Sequence, residues 1–213
     1  MDHTSTAMTA RRRGRPPRAA NGYSETREAL LQAGMAVLTE KGFSATGIDS
    51  ILSKVGVPKG SFYHFFASKE AFGSVLIERY AVYFAKKLDQ YLLDEKLAPL
   101  DRLKAFIHGA QQGMARYDYR RGCLVGNLGQ EMGSLPESFR EQLATVFKDW
   151  ENRVAACFLE ACAKGDLASG TDCQRLASYF WIGWEGAVLR AKLEGSPQAI
   201  EFFSEFFFAG LPR

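Results

Sequence analysis

The N-terminal part of the sequence consists of apolar runs with helical spacing, separated by short breaks that contain glycine or proline. Apolar side chains recur three or four residues apart over residues 24–41 and again over 46–55. The Gly-Val-Pro sequence at 56–58 ends the second run, because glycine and proline interrupt helices. A short run over 59–66 and a long one over 69–93 follow. The pattern predicts two short helices joined by a tight turn and flanked by longer helices, which is a helix-turn-helix arrangement.

The rest of the chain is helical by the same criterion. No alternating run of period two flanked by hairpin turns occurs, so we expect no strands. The candidate helices cover residues 99–117, 122–133, 136–164, 172–193 and 197–208, the second of them short and rich in glycine. The sequence therefore predicts an all-α protein.

Charge is distributed unevenly along the chain. Residues 1–69 contain ten basic and five acidic side chains, whereas the remaining 144 residues contain 17 basic and 19 acidic ones. A basic N-terminal third suits the binding of a polyanion such as nucleic acid. Residues 1–22 are rich in Arg, Ala, Pro and Gly and have no periodicity, so we expect them to form a basic arm that is disordered when nothing is bound.

Several other classes of protein are disfavoured. No run approaches the ~20 apolar residues that a membrane span needs, and no apolar segment follows the N-terminal charges as in a secretory signal. The cysteines have neither metal-ligand spacing nor the pattern of a disulfide framework, so we expect free thiols, a cytoplasmic location, no metal and no cofactor. A cysteine and His108 could imitate a nucleophile and its base, but no phosphate loop or paired carboxylates accompany them, and we expect no enzyme.

The residue order in the N-terminal third resembles the TetR family of repressors. The matching residues are Gly42, Phe43, Thr46, Ile48 and Ile51, the sequence VPKGSFYHFF at 57–66, and Ser68, Lys69 and Glu70. The resemblance implies a three-helix DNA-binding domain over 23–68 and a six-helix ligand-sensing and dimerisation domain over 69–213. It also implies a homodimer formed by the last two helices and release by a small-molecule inducer. Two recognition helices one turn of DNA apart, about 34 Å, would then face a near-palindromic operator.

The side chains that we expect to contact DNA cluster around the second short helix of the motif. They are Thr46, Lys59, Gly60, Ser61, Tyr63, His64 and Lys69. Lys59 and Gly60 begin that helix, where exposed amides and the absence of a side chain admit a phosphate. Tyr63 and His64 offer donors to phosphates or bases, with simple packing as the alternative. We expect Thr46 to act as a phosphate clamp from before the first short helix.

Lys69 is the second expected phosphate clamp, at the start of the next helix, and Phe62 and Phe65 are expected to pack. In the basic arm, Arg13 and Arg15 flank a glycine as in an AT-hook, which suits a narrow minor groove. The alternative is a tail that neutralises phosphates without sequence preference. An architectural minor-groove protein would use this arm alone, which leaves two-thirds of the chain without a role.

Two C-terminal segments, 121–128 and 181–187, resemble a narrower branch of the family: the acrylate-utilisation regulators and, more distantly, the N-ethylmaleimide-reductase repressor. The latter resemblance implies an electrophile- and oxidant-sensing cysteine at Cys123, paired with a lysine at Lys192. Arg120 and Arg121 precede this cysteine, and cationic neighbours lower a thiol pKa. The alternative is a buried cysteine that acts as a small hydrophobe. We expect the other cysteines, Cys157, Cys162 and Cys173, to be inert.

Reversible ligand binding is the second sensing hypothesis. Trp181, Trp184, Glu185 and Lys192 have the spacing of residues on one helix face. Aromatic walls with a few polar groups suit a small pocket, and the resemblance implies a short unsaturated acid such as acrylate. Plain core or a dimer interface is the alternative for the two tryptophans.

The last predicted helix carries an unusual amount of aromatic surface. Its five phenylalanines are Phe202, Phe203, Phe206, Phe207 and Phe208. So wide an apolar surface is hard to solvate, which predicts contact with a second copy of the chain; burial within one chain is the alternative.

Overall fold

A computed structural model describes the backbone of residues 20–213 and the side chains from Ser24 onward. Within this range the chain forms nine helices and no strand, which confirms the all-α prediction. They are α1 (Ala20–Lys41), α2 (Ile48–Val55), α3 (Lys59–Phe65), α4 (Lys69–Leu92), α5 (Pro99–Ala115), α6 (Leu124–Gln130), α7 (Glu137–Lys164), α8 (Cys173–Glu194) and α9 (Gln198–Ala209). None of the helices in this range combines the length and apolar character needed to cross a bilayer.

The start of α1 differs from the expectation. Residues 20–22 were expected to belong to the arm, but the helix already begins at Ala20, a residue type with high helix propensity. The rest of the expected arm, including Arg13 and Arg15, lies outside the described residues.

The turn between α2 and α3 forms as the Gly-Val-Pro sequence predicts. Gly56 adopts a left-handed conformation with φ 70° and donates its N–H to the Leu52 carbonyl at 2.8 Å. Pro58 then precedes α3, where no amide hydrogen is needed. Phe62 is fully buried and Phe65 packs at the edge of the core, so their predicted packing role is confirmed.

The two helices that flank α3 are capped differently. Ser68 caps α4 by accepting a hydrogen bond from the Ala71 amide at 3.0 Å. The predicted run before the turn begins at residue 46, but α2 begins at Ile48 with Gly47 as its N-cap, and no side chain caps this helix.

Helices α4–α9 enclose an aromatic core. Trp150 of α7 is fully buried, with its ring centroid 4.4 Å from that of Phe84 on α4 and 5.0 Å from that of Trp181 on α8. Phe106 of α5 packs beside Trp184 at 5.4 Å. Burial of this much apolar surface is the main stabilising contribution in this part of the molecule.

The long helix α4 also carries a contact that joins the two parts of the chain. The Phe43 ring, from the turn after α1, packs edge-on against the Phe139 ring of α7 with centroids 5.1 Å apart. Both rings lie over Gly73 of α4, where a Cβ would be 2.6 Å from a carbon of each ring. The backbone of α4 thus approaches both rings more closely than any residue with a side chain would allow.

We expect Gly73→Ala to lower the free energy of unfolding by about 1–3 kcal/mol, because the methyl group overpacks this contact. The matched control is Gly113→Ala on α5, where the added methyl would meet only Lys87 Nζ, at 3.6 Å. That variant should be unchanged or up to ~1 kcal/mol more stable, through helix propensity. Urea unfolding measures both, and equal effects of the two substitutions would contradict the packing described for Gly73.

Candidate DNA-binding surface and cysteine site

Helix α3 presents most of the predicted DNA-contacting residues on its outer surface. Lys59, Gly60 and His64 are exposed, and Tyr63 keeps 50% of its surface accessible, while Phe62 on the opposite side is buried. A Cβ at Gly60 would meet no atom within 4 Å, so packing within the chain does not require a glycine at this position. These features leave the start of α3 open to a partner.

The remaining residues of the predicted set are placed in different ways. Ser61 is half-buried on α3, and Lys59 Nζ lies 3.6 Å from a carboxylate oxygen of Asp49 on α2. Thr46 is only 1% exposed, and its hydroxyl donates to the Gly42 carbonyl at 2.6 Å. The expected phosphate clamp at Thr46 is therefore wrong, because this hydroxyl is used inside the α1–α2 turn.

Lys69 also points inward rather than to the surface. Its Nζ donates to the Phe43 carbonyl at 2.7 Å and lies 4.3 Å from the centroid of the Phe43 ring. Burial lowers the pKa of this ammonium, and the nearby Glu131 carboxylate counteracts the effect. The prediction of a phosphate clamp is wrong for this arrangement, in which Lys69 holds the turn after α1.

The C-terminal end of α1 is held by groups around α6. The last carbonyls of a helix have no partner within it and need one elsewhere. The Thr39 carbonyl accepts from the Gly122 amide at 3.1 Å, from Asn127 Nδ2 at 2.9 Å and from Lys192 Nζ at 3.4 Å. Asn127 also donates to the Leu38 carbonyl, at 3.2 Å. The part of the chain that contains the helix-turn-helix is thus capped, at the end of α1, by residues of α6, of α8 and of the loop before α6.

Glu131, directly after α6, holds the next turn of the chain. Its carboxylate accepts from the Phe43 amide at 2.9 Å and from the Ser44 amide at 2.7 Å. Gly42 has φ 80°, and a Cβ there would overlap the Glu131 carboxylate. The glycine is therefore required both by the backbone conformation and by the close approach of the acid.

Cys123 caps the helix that carries these residues. Its Sγ accepts a hydrogen bond from the Gly126 amide at 3.3 Å, and the residue is 7% exposed. The side chains of Tyr80 on α4 and Glu185 on α8 both interact with the thiol. Burial raises the thiol pKa well above its usual range, and the charge of Glu185 raises it further.

The expectation that arginines lower the pKa of Cys123 is therefore wrong. The half-buried Arg121 stacks on Tyr117, with its guanidinium carbon 4.0 Å from the ring centroid, and Arg120 is exposed. Neither arginine contributes to the thiol pKa, which is set by burial and by an acid.

Glu185 brings an acid into this interior. Its carboxylate lies against Gly126, where a Cβ would overlap one of its oxygens, and its Oε1 is buried with no hydrogen-bond partner among the described residues. Burial raises the pKa of the carboxyl to about 7, while the hydrogen bond with Cys123 acts in the opposite direction. Near neutral pH the group is therefore present in both protonation states.

The other predicted sensing residues occupy different places. Trp181 and Trp184 are 2% exposed and belong to the aromatic core; the indole N–H of Trp181 is buried without a partner among the described residues. Lys192 donates to the Thr39 carbonyl, and no hydrogen bond joins it to Cys123 in the part of the chain that the structure describes.

Four residues of this region had no predicted role: Thr39, Tyr80, Asn127 and Glu131. Only Asn127 lay in a segment singled out by its sequence. The contribution of the others depends on which helices pack together, which helical spacing alone does not reveal.

The raised pKa of Glu185 gives a pH-dependence of stability. The neutral carboxyl is favoured in the folded state, so its contribution is complete below the ordinary pKa of 4.5 and is lost as the pH rises through about 7. We expect Glu185→Gln to remove a stability loss of about 2.5 kcal/mol between pH 5 and pH 8. Urea unfolding at both pH values measures it, with the exposed Glu141→Gln as control. The same pH-dependence in Glu185→Gln and wild type would contradict the assignment.

Comparison with known protein families agrees with this architecture. Residues 30–72 match the model of bacterial regulatory proteins of the tetR family, and residues 99–207 match the tetracyclin repressor-like C-terminal domain. The first match spans the helix-turn-helix, and the second covers α5–α8 and most of α9.

Individual relatives agree over most of the chain. The transcriptional regulator AcuR of Cereibacter sphaeroides is 54% identical over 196 residues, 92% of this chain and 89% of that protein. The repressor NemR of Escherichia coli is 30% identical over 181 residues, covering 83% and 89%. The crystal structure of regulatory protein TetR from Rhodobacter sphaeroides has a TM-score of 0.86 at 53% identity, covering 87% of this chain and 98% of that one. The chain therefore belongs to the TetR family of DNA-binding transcriptional repressors, which are not enzymes.

Proposed function

We propose that this repressor leaves its operator when a small electrophile, or a short unsaturated acid such as acrylate, adds to Cys123. The observation that carries the proposal is the double role of the Cys123 sulfur. It caps α6, which together with Glu131 holds the DNA-binding part, and it lies beside the buried acid Glu185. A chemical change at this one atom therefore acts directly on the junction between the two parts of the chain.

The acid beside the thiol supplies the chemistry that a buried cysteine lacks. A thiol with a raised pKa is a poor nucleophile unless a base removes its proton. The ionised Glu185 carboxylate can accept that proton, so that only one negative charge stays in the buried site. The sulfur then bonds to the β-carbon of the unsaturated compound, and the protonated carboxyl returns the proton to the α-carbon. The net reaction adds S–H across the double bond, with no leaving group and no redox change.

The adduct has no room beside the start of α6. Gly126 already lies against the Glu185 carboxylate on one side, and its amide bonds to the sulfur. A substituent on Sγ weakens this cap and displaces the helix. Because Asn127 lies in α6 and Glu131 directly follows it, the movement reaches the Thr39 carbonyl and the Phe43 amide. The end of α1 and the turn after it would then change position, and with them the orientation of α3.

Lys192 has a structural role in this proposal. The resemblance implied that Lys192 pairs with Cys123, but the Lys192 ammonium donates a hydrogen bond to the same Thr39 carbonyl as Asn127. Lys192 is therefore the third donor, after Gly122 and Asn127, to this carbonyl at the end of α1.

The operator is contacted through α3 of two copies of the chain. Lys59, Tyr63 and His64 form its exposed surface, and two such helices in a symmetric dimer suit a near-palindromic site. Several large apolar side chains of α8 and α9 are exposed: Ile182, Leu189, Leu193, Phe202 and Phe206. Phe207, by contrast, is buried within the chain. We propose that the exposed set forms the dimer interface, because so much apolar surface is unfavourable in water.

Reversible binding in the same interior is a second candidate mechanism. It is favoured by two buried polar atoms without partners among the described residues, Glu185 Oε1 and Trp181 Nε1. A buried polar group without a partner costs free energy, and a small ligand with a donor and an acceptor would recover it.

A gel shift on the DNA upstream of the protein's own gene separates the two mechanisms. We expect acrylate and a small quinone to release wild type, and Cys123→Ser to bind DNA normally and to resist both compounds. Cys157→Ser is the matched control. Cys157 is also buried, but it lies on α7 and its thiol donates a hydrogen bond to the Pro99 carbonyl. It should behave as wild type.

If acrylate released Cys123→Ser at the same acrylate concentrations that release wild type, the covalent proposal would be overturned and reversible binding favoured. Intact-protein mass spectrometry of the released wild-type sample provides an independent readout, since addition leaves one electrophile per chain and reversible binding leaves none.

A further inference from the structure

A pair of thiols lies away from Cys123, where α7 ends and α8 begins. Cys162 is in the last turn of α7, and Cys173 is the first residue of α8. Their Sγ atoms are 3.6 Å apart and share a hydrogen bond. Both cysteines are free in the structure. Sulfur atoms in contact need to approach by only about 1.5 Å to reach disulfide bonding distance.

The loop between the two cysteines holds the thiols toward each other. Cys162 Sγ lies 3.7 Å from the Ala168 carbonyl, and Cys173 Sγ lies 3.5 Å from the Thr171 carbonyl. Gly165 and Gly170 turn the loop with φ of 80° and 89°. The backbone thus brings the two side chains together without a covalent bond.

The two thiols also differ in a way that suits sequential oxidation. Cys162 is half-buried and reachable from solvent, whereas Cys173 is buried. Burial and the hydrogen bond with Cys162 raise the pKa of Cys173 to about 11, so it stays a thiol until its neighbour has reacted. Cys157, five residues earlier on α7, donates a hydrogen bond to the Pro99 carbonyl and lies apart from this pair.

We propose that Cys162 and Cys173 are a dithiol site that a hydroperoxide converts into an intramolecular disulfide. The expectation from the sequence that both are inert is thereby replaced. The site takes a two-electron oxidant, whereas Cys123 is proposed to take an electrophile, and neither proposal depends on the other.

The oxidation is balanced by one molecule of hydrogen peroxide. The Cys162 thiol loses its proton and the thiolate attacks a peroxide oxygen, so that the O–O bond breaks and a sulfenic acid and hydroxide form. The hydroxide takes up the proton that Cys162 released and becomes the first water. The Cys173 sulfur then attacks the sulfenic sulfur, the S–O bond breaks, and hydroxide leaves and takes up the Cys173 proton as a second water. Two thiols are oxidised to one disulfide, and one peroxide is reduced to two waters.

The disulfide would fix the end of α7 to the start of α8, the helix that also carries Glu185 and Lys192. Closing a loop of this size constrains the unfolded chain. We expect oxidation to raise the thermal midpoint of the full-length protein by roughly 5–10 °C, and a reductant to reverse it.

The direct test is peptide mapping of the reduced full-length protein after treatment with hydrogen peroxide and blocking of the remaining thiols. Trypsin releases residues 154–164 and 165–175 as separate peptides, and without reductant we expect them to be joined. The first contains both Cys157 and Cys162, so the experiment is run on Cys157→Ser as well, which should give the same linked pair. Cys123→Ser should also form it.

Cys162→Ser and Cys173→Ser should each lose the linked pair and the thermal shift. A linked pair that survives in Cys162→Ser would assign the bond to Cys157 and overturn the proposal. The proposal would also be overturned if wild type yielded Cys162 as a sulfinic acid with Cys173 still a free thiol. This outcome is measured on wild type, so it does not depend on the folding of a variant.

Discussion

The end of α1 depends on hydrogen bonds that the helix cannot make for itself. Its last carbonyls have no partner within α1, and three donors from the regulatory part converge on Thr39. The next turn is held in the same way, by Glu131 on two backbone amides. The position of the DNA-binding part is therefore set by α6 and its flanks. The Glu131 carboxylate lies where a Cβ of Gly42 would be, and the Phe43 and Phe139 rings lie where a Cβ of Gly73 would be. Each such bond contributes only about 1 kcal/mol, so the junction is held by many weak contacts that one displacement can disturb together.

At the start of α6, a buried thiol lies beside a buried acid. Burial raises the pKa of the Cys123 thiol and so keeps it protonated, and burial also raises the pKa of the Glu185 carboxyl to about 7. In such a site the Glu185 carboxyl can carry the proton between the thiol and a small reagent that reaches it. The same arrangement explains why Gly126 has no side chain, since the carboxylate occupies the space that a Cβ would take.

Much of the fold was predictable because each signal was local. Helical spacing located the helices, and Gly56, Pro58 and Ser68 act at their own positions in the chain. The errors arose where a side chain meets a distant element. Thr46 and Lys69 looked like surface phosphate ligands, yet both bond to carbonyls around the α1–α2 turn. The arginines next to Cys123 in sequence do not set its pKa, because the thiol points between α4 and α8. Tyr80 and Glu131 lie far from their partners in sequence, and no pattern within one helix indicates such a pairing.

The most direct measurement for the link between Cys123 and the DNA-binding part is amide hydrogen exchange on wild type before and after addition of the electrophile. The informative amides are those of Gly126, which bonds to the thiol, and of Phe43 and Ser44, which bond to Glu131. We expect all three amides to lose protection together, by roughly five- to tenfold, the equivalent of one hydrogen bond each. Unchanged protection at Phe43 and Ser44 in a fully modified protein that has left its operator would contradict it.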